Sequence, residues 1–430
     1  MIDIAPHARI PELTKMTQVP SADPAEATAA SGADRPALWT RGFTLLLAVT
    51  VLCYSSYQLV SVVLPLFVQS LGGSPVIAGL VFSSFSFTSF IFRPLIGHLL
   101  DTWSVRRVLV SGTTILGALS AVLVFPSLWL AFVANAVRGV GWGAFSTAQS
   151  TGVALAAPVS RRAEAAGYSS VATTSASAFA PALALWLLNL TGKFPVVFLL
   201  AGAAGLAATA GAVMMPPTGS RGTTLRRALT LPGKGLSLET FIERPVLLAS
   251  LLLVCVTMTQ PVTFAFVPLH AQAVGVHNIS LYYVTTGATG ILARIVLGRF
   301  VDRVKRGVWI AAGYSAMLSA FAVLIIADRI EVFVIAGFLV AIGHSLAQPS
   351  LNAFAMDLAA PGRMGKAMAT FSMAYRVGEG LGAPLAGTLI VVFGYPGMYA
   401  GAMAFALAGL VLTALNWRSV GRPLPRHAPA

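Results

Sequence analysis

Twelve apolar windows, each long enough to cross a bilayer, constrain the fold of this chain more than any other feature. A transmembrane helix needs about 20 predominantly apolar residues. Of the 430 residues, 57% are hydrophobic and only 10% are charged, whereas about 25% are charged in ordinary soluble domains. The windows are 43–69, 76–100, 106–125, 128–153, 166–190, 195–215, 246–271, 279–300, 308–327, 331–356, 367–393 and 396–417. The sequence therefore predicts an all-α membrane protein with twelve transmembrane helices.

The polar segments between the windows divide the chain into five regions. We expect a disordered cytoplasmic tail over residues 1–41, a six-helix half over 42–215, a cytoplasmic linker over 216–245, a second six-helix half over 246–417 and a cytoplasmic tail over 418–430. The first tail has no short apolar core after a basic start, so it does not resemble a secretory signal peptide.

The basic residues predict the orientation of the chain in the membrane. An even number of spans puts both termini on one side, and most of the 28 Lys and Arg residues lie there, with only Lys193 and Arg329 in loops on the opposite side. The positive-inside rule makes the side of the termini cytoplasmic, as in a multi-pass protein of the bacterial inner membrane. This bias accounts for the net charge of +14 without a nucleic-acid partner. We expect a monomer in the lipid bilayer.

The second six windows repeat the first six at an offset of 201–203 residues. The segment FRPLIGHLLD at 92–101 aligns with ARIVLGRFVD at 293–302, and Ala-Ala-Pro recurs at 156–158 and 359–361. The chain is therefore predicted to consist of two duplicated six-helix halves. Such repeats are typical of secondary transporters, which bind substrate between the halves near the middle of the membrane.

Two motifs resemble those of the major facilitator superfamily. GHLLDTWSVRR at 97–107 is similar to the family's G-x-L-x-D-R-x-G-R-K loop, and RGVGWG at 138–143 is similar to the arginine–glycine motif of its fourth helix. The resemblance covers residues 42–417 and implies the fold of that family and transport by alternating access. It also implies that the first, fourth, seventh and tenth helices line the cavity.

No motif of a membrane-bound enzyme accompanies this resemblance. The sequence has no phosphate-binding GxxxxGK[ST] loop, no HExxH and no GxSxG. Cys53 and Cys255 lie in different windows without metal-like spacing. We therefore expect no enzyme activity, no cofactor and no metal.

Charges that occur in both halves predict a gate at the cytoplasmic end. Arg93 precedes Asp101 by eight residues, and Arg294 precedes Asp302 by the same interval, which puts each pair near one helix face. In the family this region closes the inner side, although anchoring of helix ends explains the same residues. The gate candidates are Arg93, Gly97, Asp101, Arg106, Arg107, Arg294, Gly298, Asp302 and Arg303.

Arg376 and Glu379 lie inside the eleventh window and have no charged counterpart in the first half. A charge at the centre of a membrane helix costs about 2.5–3.5 kcal/mol, so it needs a partner. A spacing of three residues lets the two side chains meet on one helix face, as in a structural ion pair. Glu379 is also the one carboxylate expected in mid-membrane. We therefore consider the pair a candidate for proton coupling.

Polar and aromatic residues recur at helical spacing on four windows and predict the substrate cavity. They follow intervals of three, four or seven residues, which places them on one face of each helix. Hydrogen bonding between packed helices would give the same pattern. The candidates are Tyr54, Gln58, Asn135, Arg138, Trp142, Gln149, Gln260, Phe264, His344, Gln348 and Asn352.

The sequence leaves three functions open. The first is export of a small organic molecule, such as a drug, a sugar or a secreted metabolite, in exchange for protons. The second is proton-coupled or facilitated uptake, because ASAFAPALAL at 176–185 keeps Pro181 of the antiporter motif but has alanine in its glycine positions. The third is a membrane receptor that does not transport.

Overall fold

The computed structural model describes residues 38–158, 161–216, 243–297, 304–360 and 363–420. These residues form an almost entirely helical protein, without a β-strand in the described ranges. The helices are α1 Arg41–Ser70, α2 Pro75–Ile91, α3 Arg93–Thr102, α4 Val105–Val122, α5 Leu128–Ala156, α6 Arg162–Thr191, α7 Phe194–Met214, α8 Leu247–Thr257, α9 Val267–Ala273, α10 Ser280–Leu297, α11 Arg306–Ile325, α12 Ile330–Asp357, α13 Met364–Leu415 and α14 Trp417–Val420.

Each of the twelve predicted windows contains a helix, although the helices do not coincide with the windows. In the described part of the chain, nine helical segments are long and apolar enough to cross a membrane, if Arg244–Ala273 with α8 and α9 counts as one, or ten if the bent pair formed by α2 and α3 is also one span. The last two windows form α13, which consists of two helical segments that meet at a kink at Gly394. The eighth window extends beyond α10 into residues outside the described ranges.

Local sequence signals explain where several helices begin and bend. The side chains of Thr40, Ser74, Ser104 and Ser127 cap α1, α2, α4 and α5 by accepting a hydrogen bond from a backbone N–H of the first turn. The 43° bend between α2 and α3 falls beside Pro94, whose ring cannot continue the helical hydrogen bonds. Gly394 has a φ of 71°, which a residue with a side chain rarely adopts.

The two halves repeat the same packing. In the first half α4 packs against α5 and α7, and α2 packs against α5. In the second half α11 packs against α12 and α13, and α10 packs against α12. The halves contact each other through α2 with α13 and α6 with α10. This arrangement leaves a cavity between the halves.

The outer surface of the bundle is apolar. Large side chains such as Trp129, Ile326 and Leu415 are more than 70% exposed. A surface of this kind is suited to lipid, and helices satisfy their own backbone hydrogen bonds there. The chain is therefore a multi-pass membrane protein.

The predicted disordered tail, the linker and the second tail lie mostly outside the described ranges. The gate candidates Gly298, Asp302 and Arg303 lie outside them as well. The two ends of the bundle are named as follows. The terminal end is the one at which α1 begins and α13 finishes. The distal end is the one at which α1 finishes and α2 begins.

Candidate substrate cavity

A cavity lies between the two halves and has two connected parts. The deeper part has a volume of about 420 Å³. The second part has about 750 Å³ and is lined by residues near the terminal ends of their helices, such as Asn352 and Met368, and by Arg93. Tyr54, Arg294 and other residues line both parts. Volumes of this size accommodate a small organic molecule.

The distal end of the same interface is closed by direct contact of helix backbones. A Cβ atom at Gly79 of α2 would overlap the carbonyl oxygen of Ala383 in α13, and one at Gly387 would overlap the carbonyl oxygen of Pro75. Only residues without a side chain allow the two helices to approach so closely. In this conformation the cavity is therefore closed at the distal end and extends toward the terminal end.

Eight of the eleven predicted cavity residues line this cavity. They come from α1, α5, α12 and the segment between α8 and α9, which correspond to the first, fourth, tenth and seventh windows. These residues are Tyr54, Gln58, Trp142, Gln260, Phe264, His344, Gln348 and Asn352.

The other three predicted cavity residues, Asn135, Arg138 and Gln149, are buried and do not line the cavity. Arg138 is only 1% exposed and donates to Ser120 Oγ at 3.1 Å and to Asn135 Oδ1 at 2.8 Å. Asn135 donates to the Val81 carbonyl oxygen at 2.7 Å. These contacts join α5 to α2 and α4 inside the first half. Helical spacing predicted that these three residues share one polar face of α5 with Trp142. Much of that face contacts neighbouring helices and not the cavity.

Gln149 also contacts a neighbouring helix. Its amide nitrogen donates to Ser169 Oγ of α6 at 2.6 Å. In this structure Asn135, Arg138 and Gln149 thus form hydrogen bonds between packed helices. The sequence had left this alternative open.

Arg376 and Glu379 form the predicted ion pair, with 2.6 Å between Arg376 Nη1 and Glu379 Oε2. Both side chains are buried, and both line the deeper part of the cavity. Glu379 Oε2 also accepts from Ser86 Oγ at 2.9 Å, and Tyr57 OH lies 3.5 Å from Oε1. Ser86 and Tyr57 belong to the first half, so this carboxylate contacts both halves of the protein.

The pattern of the sequence did not indicate the residues that hold this pair. Ser86 lies in the serine-rich stretch SSFSFTSF of α2, and Tyr57 lies one turn after the predicted Tyr54. Small hydroxyl residues inside an apolar window are a signal for contacts between helices. Ser83 of the same stretch donates to the Gly380 carbonyl oxygen at 2.5 Å, one residue after Glu379. Polar residues of α2 therefore contact α13 at two successive turns.

Aromatic rings form one wall of the deeper part. The ring centroid of Trp142 lies 4.7 Å from that of Tyr54 and 4.5 Å from that of Tyr57. Phe85 stacks on Tyr57 with 4.9 Å between the ring centroids and also lies 6.0 Å from Trp142. On the opposite half, Tyr375 donates its hydroxyl to Gln260 Oε1 at 2.6 Å. The cavity therefore combines an aromatic surface with polar groups that are held in place.

The gate candidates occupy different positions. Arg93 and Arg294 line the cavity. Arg106 is partly buried and Arg107 is exposed at the start of α4, and a Cβ atom at Gly97 would meet no other atom within 4 Å. The backbone of Asp101 belongs to α3, but its side chain is outside the described part of the structure. The predicted pairing of Arg93 with Asp101 thus remains a prediction.

No metal-binding group is formed within the described ranges, since no three His, Cys, Asp or Glu side chains come together there in a way that would hold an ion. Cys53 and Cys255 are both buried and unbridged.

Comparison with known proteins identifies the family. The sequence model of the Major Facilitator Superfamily matches residues 46–330 and 315–429. The staphylopine export protein of Staphylococcus aureus is 22% identical over 402 residues, which are 90% of this chain and 97% of that protein. An uncharacterised MFS-type transporter of Burkholderia mallei is 25% identical over 394 residues, which cover 87% of this chain and 91% of that one.

Solved structures share the fold at low sequence identity. A mutant of the nucleoside transporter NupG superposes with a TM-score of 0.67 at 15% identity, and the match covers 87% of this chain and 99% of that one. The POT family transporter PepTSo gives a TM-score of 0.69 at 16% identity, with coverage of 89% and 98%. The family match, the helical bundle and the cavity between its halves lead to one conclusion: this chain belongs to the major facilitator superfamily of membrane transporters.

Proposed function

We propose that this transporter exports a small organic molecule, such as a drug, a sugar or a secreted metabolite, in exchange for protons. The observation that supports this best is the position of Glu379. It lines the cavity, it is able to carry a proton, and it contacts Ser86 and Tyr57 of the other half. A single side chain is thus in reach of the substrate, the proton and the interface that must open during transport.

The proton acts on the contact between the halves. The deprotonated carboxylate of Glu379 pairs with Arg376 and accepts from Ser86, and hydrogen bonds to a charged group are the strong ones. Protonation removes the negative charge, so it weakens both interactions. Proton binding therefore loosens this contact, and proton release restores it.

The conformation in the structure fits one step of the exchange cycle. The distal end is closed, and the cavity extends toward the terminal end, where substrate enters. The bundle then closes at the terminal end and opens at the distal end, where substrate leaves and Glu379 binds a proton. During the return the proton leaves on the terminal side, and its release restores the contact between Glu379 and Ser86. One complete cycle therefore moves one substrate molecule outward and protons inward.

The terminal end needs its own gate in the distal-open state. We assign this role to the duplicated loop residues around Asp101 and Asp302, with Arg93, Arg106, Arg107, Arg294 and Arg303. The resemblance of GHLLDTWSVRR to the family's loop motif supports this assignment.

One observation supports export over uptake. The relative from Staphylococcus aureus is named as an export protein. The basic loops favour a cytoplasmic terminal end in a bacterial inner membrane, so the cavity extends toward the cytoplasm, which is a step of both export and uptake. The transporter acts as a monomer in the bilayer and requires only its substrate and protons.

Proton movement in liposomes tests the exchange. Compounds that stabilise the purified protein in a thermal-shift panel are added outside liposomes that contain the protein and a trapped pH-sensitive dye. Exchange predicts that entry of the compound makes the lumen alkaline, because a proton leaves for each molecule that enters. Acidification would instead indicate co-transport, as expected for uptake. Entry without proton movement would indicate facilitated diffusion, and no entry of any stabilising compound would indicate a receptor.

A further inference from the structure

The charged residues that line the cavity are unequal in sign. Three arginines, Arg93, Arg294 and Arg376, line it, whereas Glu379 is the one acidic residue among its described lining residues. Arg376 is neutralised by its ion pair with Glu379. Arg93 and Arg294 therefore remain as cations without a described acidic neighbour in the cavity.

These two arginines face the cavity from opposite halves. Arg93 begins α3 and Arg294 lies in the last turn of α10, at equivalent positions of the repeat. The Nε atom of Arg93 is buried, and no described residue accepts a hydrogen bond from it. Arg93 as a whole is partly buried and Arg294 is exposed to the cavity, and a buried donor atom that lacks an acceptor is costly. An anionic group from the cargo would supply both the acceptor and the countercharge.

We infer that the cargo is an organic anion whose carboxylate or phosphate group binds between Arg93 and Arg294. This inference rests on the proposed transport function and specifies its substrate class. Guanidinium groups bind such oxyanions through paired hydrogen bonds, which makes arginine a preferred residue for this chemistry.

The rest of the cargo occupies the deeper part of the cavity. The rings of Tyr54, Tyr57 and Trp142 form an aromatic wall there, and Phe264 lies on the second half. Aromatic walls favour unsaturated or aromatic groups. The cargo is therefore amphipathic, with its anionic group toward the terminal end and its apolar part toward the distal end.

An anion between the two arginines also controls closure. Closing the terminal end brings the two halves together, and two like charges in a water-poor interface repel each other strongly. A bound anion neutralises Arg93 and Arg294 and removes this repulsion. The protein without cargo thus stays open at the terminal end. It therefore does not reach the distal-open state in which it would take up a proton, and protons do not leak across the membrane without transport of cargo.

Closure is measurable as a distance. Spin labels are placed at Trp103 and Met364, which are exposed at the terminal ends of α3 and α13, in a variant that lacks Cys53 and Cys255. Saturating phthalate should shift the distance distribution between the labels to shorter values. The same pair of labels in the Arg93→Gln variant should show no such shift. If phthalate leaves the distance distribution unchanged in the labelled protein that retains Arg93, the anion does not cause closure.

Binding is tested on the purified full chain with simple probes at constant ionic strength. Benzoate, phthalate and phenyl phosphate carry an anionic group on an aromatic ring, whereas benzamide and benzylamine are their neutral and cationic counterparts. At least one anion should raise the unfolding midpoint in a saturable way, and the two counterparts should not. The comparison of phthalate with phenyl phosphate shows which oxyanion is preferred.

Variants assign the binding to the two arginines. Arg93→Gln and Arg294→Gln should each raise the Kd of the anion about ten-fold or more, because each removes a charge-assisted hydrogen bond. Arg93→Lys and Arg294→Lys retain the charge and should recover part of the affinity. Arg329→Gln is the matched control, since Arg329 is 79% exposed at the distal end. The unfolding midpoint without probe reports whether each variant is folded.

The result can be separated from the test of proton exchange, because binding to the purified protein needs neither a membrane nor a pH gradient. Binding of an anion that depends on both arginines supports this inference even if no proton moves in liposomes. The inference is overturned if no anion stabilises the protein, if benzamide or benzylamine does so equally well, or if the anion still stabilises both glutamine variants.

Discussion

Ser86 Oγ donates a hydrogen bond to Glu379 Oε2 at 2.9 Å, and the two residues are separated by 293 positions in the sequence. Ser86 lies in α2 of the first half and Glu379 in α13 of the second half. The bond is therefore possible only while these helices are in contact. It connects the charge of one carboxylate to the conformation of the whole transporter.

Removal of this hydrogen bond should favour the distal-open conformation. We expect Ser86→Ala to increase labelling of a cysteine at Phe82, a buried residue of α2 that lines the deeper cavity. The measurement uses a membrane-impermeant thiol reagent on intact cells, in a variant without Cys53 and Cys255. Ser84→Ala is the control, because Ser84 bonds to carbonyl oxygens of its own half. Equal labelling of both variants would contradict a role of Ser86 in holding the halves together.

The close contact at the distal end should be equally sensitive to a single methyl group. Gly79→Ala places a Cβ atom against the Ala383 carbonyl oxygen, so α2 and α13 must separate. We expect increased labelling at residue 82 and slower transport. Gly167→Ala is the matched change, since its Cβ atom would have no neighbour within 4 Å. A Gly79→Ala protein that behaves like Gly167→Ala would show that this contact does not stabilise the closed distal end.

The terminal gate predicts the opposite shift. Asp101→Asn should weaken the closed terminal end, because the carboxylate no longer attracts basic residues of the gate. The distal-open conformation then becomes less populated, labelling at residue 82 decreases and transport slows, while expression changes little. Unchanged labelling together with unchanged transport would remove Asp101 from the gate.

Arg138 should contribute to stability. Arg138→Ala leaves Asn135 Oδ1 and Ser120 Oγ without their donor and should lower the free energy of unfolding by about 1–3 kcal/mol. The unfolding midpoint of the purified protein measures this effect, with Arg418→Ala at an exposed position as the control. A normal midpoint combined with loss of anion binding would instead assign Arg138 to the substrate site.

The sequence was sufficient to predict the all-helical membrane fold and the ion pair, because both depend on local spacing, although nine or ten of the twelve predicted spans meet the length and hydropathy test in the described ranges. An apolar window of about 20 residues forms a helix in lipid wherever it occurs. Arg376 and Glu379 are three residues apart, so one helix brings them together without help from the rest of the fold.

The contacts between helices could not be predicted in the same way. The spacing of Asn135, Arg138 and Gln149 defines a face of α5, but the rotation of the helix in the bundle decides what that face contacts. Arg93 and Arg294 show the same limit, since their repeat indicated a gate but could not indicate that they also line the cavity. The partners of Glu379 come from the other half, so no local pattern contains them.

Accumulation of substrate by Glu379→Gln protein tests the central claim most directly. Glutamine resembles the protonated carboxyl group but does not exchange a proton. In proteoliposomes, the variant should exchange substrate at zero pH gradient but should not accumulate it when a pH gradient is imposed. Glu331→Gln, at an exposed position of α12, should do both. Uphill accumulation by Glu379→Gln at the wild-type level would contradict proton coupling through this residue.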